Sequence, residues 1–450
     1  MKTYNLFYIF FLISLTSCKK FLEKKSDSSL VVPQELMDYQ KLLDDANIMN
    51  YNTPCYGEAS SDDYYLLEST FNGLVIQEQQ AYTWIPYDYY AVNDWSYAYN
   101  VVYNANLCLD GLENIDKTFA NSMQWSNVKG AALFFRAYSF LNLAWVYSKA
   151  YDSQTADKDL GIVIRLNSDF NQPSVRVSVK DTYQQIVNDA KEAAHLLPDN
   201  PDHVIRPSKA AAYGLLARAY LSMHLYDSAL LYSNLCLQIK SSIISYNNGA
   251  EVNIGSNVPF RQFNPETIFY SEMNGTLLNR HPANAKIDTT LYEEYLPDDL
   301  RKEAFFRTSG GGYRFKGSYA GSISILFTGI STDEVLLTRA ECYARINMIP
   351  EAMADINLLL SNRWRDSFSY IPISFSTQEN AIATILLERR KELLMRGIRW
   401  SDIKRLNQEG ANIILKRNVN GTTYELLPNS PFYALPLPSD IIQLTGIPQN

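Results

Sequence analysis

Apolar residues recur along this chain mainly at helical spacing, and strand-like alternation is scarce. Trp95, Tyr99, Val102 and Asn106 fall at i, i+4, i+7 and i+11, which predicts a helix with one face in a core. Three later segments read alike: ALFFRAYSFLNLA (Ala132–Ala144), GLLARAYLSM (Gly214–Met223) and VLLTRAECYARI (Val335–Ile346). Each sets an Arg-Ala pair behind large apolar residues, with an aromatic close after it. In the second, Leu215, Ala219 and Ser222 share a face beside Leu216, Tyr220 and Met223. Small Ala and Gly positions let a neighbouring helix approach closely. A second helix follows each copy. KAAAYGLLARAYLSMHLYDSALLYSNLCLQI runs helix, turn, helix, and DEVLLTRAECYARINMIPEAMADINLLLSNR repeats it with Pro350 in the first turn of its second helix. TYQQIVNDAKEAAHLLP is the partner helix of the first copy, and a fourth pair begins near Thr377.

Ala217, Tyr220, Tyr226 and Ala229 follow the small-and-aromatic pattern of tetratricopeptide repeats. The copies are unevenly spaced, which argues against an open solenoid, and long insertions separate them. Ser242–Arg314 is rich in Asn, Gly and Pro, with short apolar runs such as TIFY. Arg307–Gly321 (RTSGGGYRFKGSYAG) reads as a flexible loop dotted with aromatics. The fold class is therefore mainly α: helix pairs forming a scaffold, with long loop-rich insertions and few short strands. Insertions of this kind commonly carry function.

The N-terminus follows another rule. Lys2 is positive, Leu6–Leu15 is apolar apart from Ser14, and Thr16-Ser17-Cys18 follows before two lysines. A helix spanning the bilayer needs about 20 apolar residues, so this run fits the h-region of a signal peptide. Leu15-Thr16-Ser17-Cys18 resembles the lipobox of bacterial lipoproteins, whose cysteine is acylated and becomes the first mature residue. On this reading residues 1–17 are a signal peptide, 18–30 a polar tether from lipidated Cys18, and 31–450 a single domain. Several acyl chains on that cysteine would hold the protein at a membrane with no spanning helix.

Composition refines the picture. Net charge is −8, which argues against nucleic-acid binding. Cys55, Cys108, Cys236 and Cys342 form no CxxC pair. The last three sit beside apolar residues in helical patterns, as buried thiols do. Tyrosine, at 32 residues, outnumbers the other aromatics together, which suits a surface that must be both wet and adhesive.

Catalytic constellations are missing. His195, His203, His224 and His281 have no metal-ligand spacing, and there is no HExxH, GxSxG elbow or P-loop. No enzymatic activity and no cofactor are expected. Asp62-Asp63 and Asp298-Asp299 leave a structural calcium ion open, without an EF-hand ligand series. The charge-dense RRKELLMRGIRWSDIKR reads as an ion-pair network rather than a ligand clamp, because its opposite charges lie at helical spacings. Ala81–Tyr103 holds nine aromatics in 23 residues. Before Trp95 these have no period, and Pro86 and Asn93-Asp94 mark a loop with Asn93 or Asp94 capping the next helix. Trp84, Tyr87, Tyr89 and Tyr90 offer ring faces to a ligand, with Asn93 and Asp94 as polar partners. Tyr313, Arg314 and Tyr319 form a second candidate wall. The competing reading has Trp84 and its neighbours plugging the gap between loop and helices.

Taken in order, the motifs resemble the SusD/RagB family of Bacteroidetes outer-membrane lipoproteins across nearly the whole chain. The lipobox comes first, then Trp95, Tyr99 and Asn106, KGAALFFRAYSFLNLAWVY, and RPSKAAAYGLLARAYLSMHLYDSAL. ERRKELLMRGIRWSDIKR and FYALPLPSDIIQ complete the series. Arg396 stands where the family usually has Glu, Ile398 replaces a common His, and the family's last residues after Gln449-Asn450 are missing. These departures touch scaffold motifs. The resemblance implies a tetratricopeptide-like fold and a surface lid on a SusC-like TonB-dependent transporter, capturing oligosaccharide or peptide. It implies a lipid anchor in the outer membrane and names no ligand. A scaffold binding another protein through its helices is the alternative.

Overall fold

The computed structural model describes residues 33–89 and 92–450. The signal segment, Cys18, the tether to residue 30 and Tyr90 lie outside the described residues.

Among the described residues nine long helices build the scaffold: α1 (Asp94–Leu112), α2 (Ser122–Tyr147), α3 (Val179–Leu196), α4 (Lys209–Ser222), α5 (Tyr226–Ile239), α6 (Thr332–Arg345), α7 (Ile349–Ser361), α8 (Gln378–Glu392) and α9 (Arg399–Gln408). Local chemistry sets their ends. Asn93 accepts from the Ser96 amide at 3.0 Å while Ser96 Oγ accepts from the Asn93 amide at 2.9 Å, a reciprocal cap on α1. Ser178, Ser208 and Thr377 cap α3, α4 and α8 in the same general way. Pro350 occupies the first turn of α7.

From α1 to α6 each helix packs on the next in sequence, and α6 packs on both α7 and α8. Helix α2 is buried on all sides from Gly130 to Tyr147, as its apolar composition requires. A Cβ at Gly130 would stand 2.9 Å from Leu197 Cγ, so glycine is what admits the end of α3 there. The uneven repeat spacing is absorbed by looping out residues 240–331 between α5 and α6, which remain in direct contact. Helix α9 then folds back onto α2, closing the array rather than leaving an open solenoid.

The arginine of each Arg-Ala pair is an internal clip. Arg136 holds Asp189 of α3 through bonds of 2.7 and 2.8 Å, and donates to Asn106 Oδ1 at 2.9 Å. Arg218 holds Glu334 of α6 through two bonds of 2.5 Å. Arg339 holds Asp355 of α7 through two bonds of 2.7 Å. The adjoining Ala137, Ala219 and Ala340 are fully buried, which leaves room for the clip.

Strands are short and paired in twos. β1 (Tyr64–Tyr65) runs antiparallel to β2 (Lys286–Ile287), and β3 (Phe306–Ser309) forms a hairpin with β4 (Gly312–Phe315). The remaining pairs join 160–163 to 176–178, 267–269 to 330–331, and 415–419 to 422–426. Cys55, Cys108, Cys236 and Cys342 are buried free thiols.

Candidate functional site

The loop between residues 76 and 93 folds inward. Its short helix Ile76–Thr83 ends at Trp84, which takes the left-handed conformation with φ 57°. That turn sends the indole into the protein, where Nε1 donates to Ser60 O at 3.0 Å and Arg417 lies over the ring. Tyr87 and Tyr89 stack on Tyr56 with ring centroids 5.6 and 5.0 Å away. Tyr89 Oη donates to Pro436 O at 2.7 Å, tying the loop to the C-terminal segment. Asp94 is wholly buried and accepts from the amides of Cys55 and Tyr56 and from Asn274 Nδ2, at 2.7, 2.8 and 2.7 Å. Burial pushes its carboxyl up to about 6, against the pull of those hydrogen bonds.

Tyr319 is buried too. Its hydroxyl donates to Glu266 Oε2 at 2.8 Å, and Arg396 sits 4.1 Å from its ring centre. Trp84, Tyr87, Tyr89, Asn93, Asp94 and Tyr319 are thus interior groups, none more than 7% exposed. In this structure they offer no open face to a ligand: Trp84, Tyr89, Asp94 and Tyr319 spend their polar ends on protein partners, and the Tyr87 hydroxyl is buried without one. This burial favours the competing sequence reading, in which Trp84 and its neighbours plug the gap between loop and helices.

Among the described candidates, Tyr313 and Arg314 reach the surface. The β3–β4 hairpin presents them, turning through Gly311 at φ 83°. Alternation along β4 sends neighbouring side chains to opposite faces. On one face Tyr313 stacks on Tyr292 at 3.6 Å with ring planes 12° apart, and Lys302 lies 4.6 Å from the Tyr292 centroid. Arg314 lies with Gly312 on the other face, against β1 and β2. A Cβ on Gly312 would fall 2.5 Å from Tyr65 Oη and 3.6 Å from Lys286 Cβ, so glycine is needed for this close approach. Tyr65 Oη donates to Gly311 O at 2.7 Å, and Lys286 Nζ to Ser309 Oγ at 2.9 Å.

This second face is cationic. Burial, then Arg280 and Arg314, hold the His281 imidazole below its usual value. Burial and Arg314 do the same to Lys286. Among the described residues Arg280, Lys286 and Arg314 have no carboxylate within ion-pair distance. The hairpin therefore combines half-buried Tyr65, Tyr292 and Tyr313 with the half-buried guanidinium of Arg314, while Arg280 and Lys286 are buried and donate to Asn274 O and Ser309 Oγ. Sequence reading missed Tyr65 and Tyr292. Only the pairing of distant segments brings them to the hairpin, and no local pattern signals that.

The charged stretch around Trp400 is an internal ion-pair network. Arg389 meets Asp402 at 2.8 Å, Arg405 meets Glu341 at 2.6 Å, and Arg396 meets Asp333 at 2.9 Å. The positions left open for calcium are held by arginines: Asp62 by Arg399 at 2.7 Å and Asp299 by Arg301 at 2.7 Å. Glu266, Asp333 and Glu392 bring oxygens within 4.8 Å of one another, the geometry of a metal cage. Arg363 and Arg396 already neutralise that cluster, so it does not fit a cation.

Two family models match the chain. One, described as starch-binding associating with outer membrane, covers residues 20–221, and the SusD family model covers residues 332–434. Solved structures share the fold. A putative sugar binding protein from Bacteroides vulgatus matches with a TM-score of 0.74 at 19% identity, covering 93% of this chain and 99% of its own. A SusD-like carbohydrate binding protein from the same species gives 0.67 at 20%, covering 92% and 97%. A SusD superfamily protein from Bacteroides thetaiotaomicron gives 0.73 at 20%, covering 92% and 99%. Among curated proteins none matches.

Proposed function

We infer the function from the premise that the chain belongs to the SusD family, carbohydrate-binding proteins associated with the outer membrane at the cell surface. We propose that it is a lipoprotein that captures oligosaccharide at the cell surface and delivers it to a SusC-like TonB-dependent transporter. Residues 1–17 act as the signal peptide, acylated Cys18 is the anchor, 18–30 the tether, and 31–450 one binding domain.

The observation that carries the reading is the β3–β4 hairpin. Sugars present C–H faces that pack on aromatic rings and hydroxyls that take hydrogen bonds. Tyr292 and Tyr313 supply half-buried rings on one face of the hairpin, and Tyr65 supplies a ring on the other, where Arg314 and His281 supply donors. Arg314, half-buried and with no counter-carboxylate among the described residues, keeps guanidinium donors for ligand oxygens. The reading is of a binding protein, with peptide as the other ligand class.

A glycan array probed with the detergent-solubilised full chain, beside a peptide library, tests this directly. Retention of one oligosaccharide class is expected. Retention of peptides alone would replace the carbohydrate reading. Mild-detergent extracts should also yield a complex with a TonB-dependent barrel, and recovery of free monomer beside an intact barrel would count against delivery.

A further inference from the structure

Away from the hairpin, a cleft of about 360 Å³ lies between the α3–α4 turn, the end of α5 and the loop before residue 267. Its volume falls in the range of small-ligand sites. Phe263 stands on its wall at φ 58°, a left-handed backbone that a bulky aromatic residue seldom adopts. A glycine there would relieve the strain, yet the chain carries a ring, and that ring is 37% exposed. Its edge-to-face contacts with His203 at 4.5 Å and Tyr270 at 4.7 Å fix the ring in place.

The polar wall is also held. Lys209 pairs with Asp199 at 2.7 Å, and Arg206 bridges Asp202 at 2.6 Å to Asp44 at 2.7 Å, so the α3–α4 turn is tied down. His203 Nδ1 accepts from the Ile205 amide at 3.3 Å, which leaves Nε2 available. The side chains of Asn200 and Lys240 line the cleft and have no hydrogen bond among the described residues. A fixed ring thus faces a mixture of free donors and acceptors, the combination that holds a sugar by its C–H face and its hydroxyls. Lys209, Arg206 and Lys240 balance Asp199, Asp202 and Asp44, so the cleft carries little net field and suits a neutral ligand.

We propose that this cleft is a second saccharide-binding subsite, taking a neutral sugar unit. The proposal rests on the carbohydrate reading above and places a site on elements that the hairpin does not use.

Calorimetry with maltoheptaose, xylohexaose and mannohexaose on the detergent-solubilised full chain tests it. The variants are Phe263→Gly, the exposed-residue double variant Asn200→Ala/His203→Ala, and Tyr313→Ala. Glycine accepts the left-handed backbone, and the double variant changes surface side chains, so at least one arm retains the fold. Both cleft variants are expected to lose about tenfold in affinity for the oligosaccharide that binds, with melting temperature held in the double variant. Native-like affinity in both would overturn the subsite and leave the carbohydrate reading standing, the more so if Tyr313→Ala weakens binding. Failure of the native chain to bind any of the three would overturn both.

Discussion

Tyr313 and Tyr319 lie six positions apart and have opposite fates. Tyr313 is half-buried on Tyr292, whereas Tyr319 is sealed between Glu266 and Arg396. Tyr313→Ala should weaken oligosaccharide binding by about 1–3 kcal/mol with little change in melting. Trp84→Ala should behave like a core lesion, losing roughly 3–5 kcal/mol of stability and leaving ligand affinity intact. Thermal melts and calorimetry on the two variants separate these outcomes. Asp94 makes a third residue-scale prediction. Its native carboxyl keeps its proton to about pH 6, while the unfolded chain releases it near pH ~4. Between those values the unfolded state binds fewer protons, so the contribution of Asp94 to stability falls as pH rises and levels off above 6. A carboxyl NMR titration of Asp94 should show a midpoint near 6. A midpoint in the ordinary carboxylate range would contradict the balance drawn here between burial and hydrogen bonding. Sequence left the burial of Trp84, Tyr87 and Tyr89 as one of two open readings, for a physical reason. Periodicity reports burial only in regular elements, and this loop is packed by single bonds to Ser60 and Pro436 that no spacing encodes.

Helices were the legible elements. The copies around Arg136, Arg218 and Arg339 appear as α2, α4 and α6, and the charges of α8 and α9 do form an interior ion-pair network, although Arg389–Asp402 and Arg405–Glu341 join residues far beyond helical spacing. What spacing did not reveal was the purpose of the Arg-Ala pair. Arg218 and Glu334 belong to different repeats, separated in sequence by the looped-out insertion, and they hold α4 against α6. Both side chains are at most 4% exposed. Arg218→Ala would leave a buried carboxylate unpaired, and a loss of about 3–5 kcal/mol is expected. Arg218→Met combined with Glu334→Leu should recover most of it, since a well-packed apolar pair can replace a buried ion pair. Chemical denaturation of the single and double variants checks this. A double variant as unstable as the single would mean that the clip does more than neutralise charge.

At the scale of the whole molecule the account joins an anchored N-terminus, a helical scaffold and a loop-borne hairpin. Among the described residues no helix is long and apolar enough to cross a membrane. On the proposed lipid anchor, Cys18→Ala should release the protein from outer-membrane fractions or stall its maturation, read by fractionation and mass. A membrane-bound, normally processed variant would remove the anchor from the account. The central claim is that the β3–β4 hairpin takes oligosaccharide. The direct measurement is titration of the array-selected oligosaccharide into the native chain and into the Tyr313→Ala/Arg314→Gln variant at matched stability. The account predicts saturable binding by the native chain and at least a tenfold loss in the variant. Equal affinity in the two proteins would contradict it.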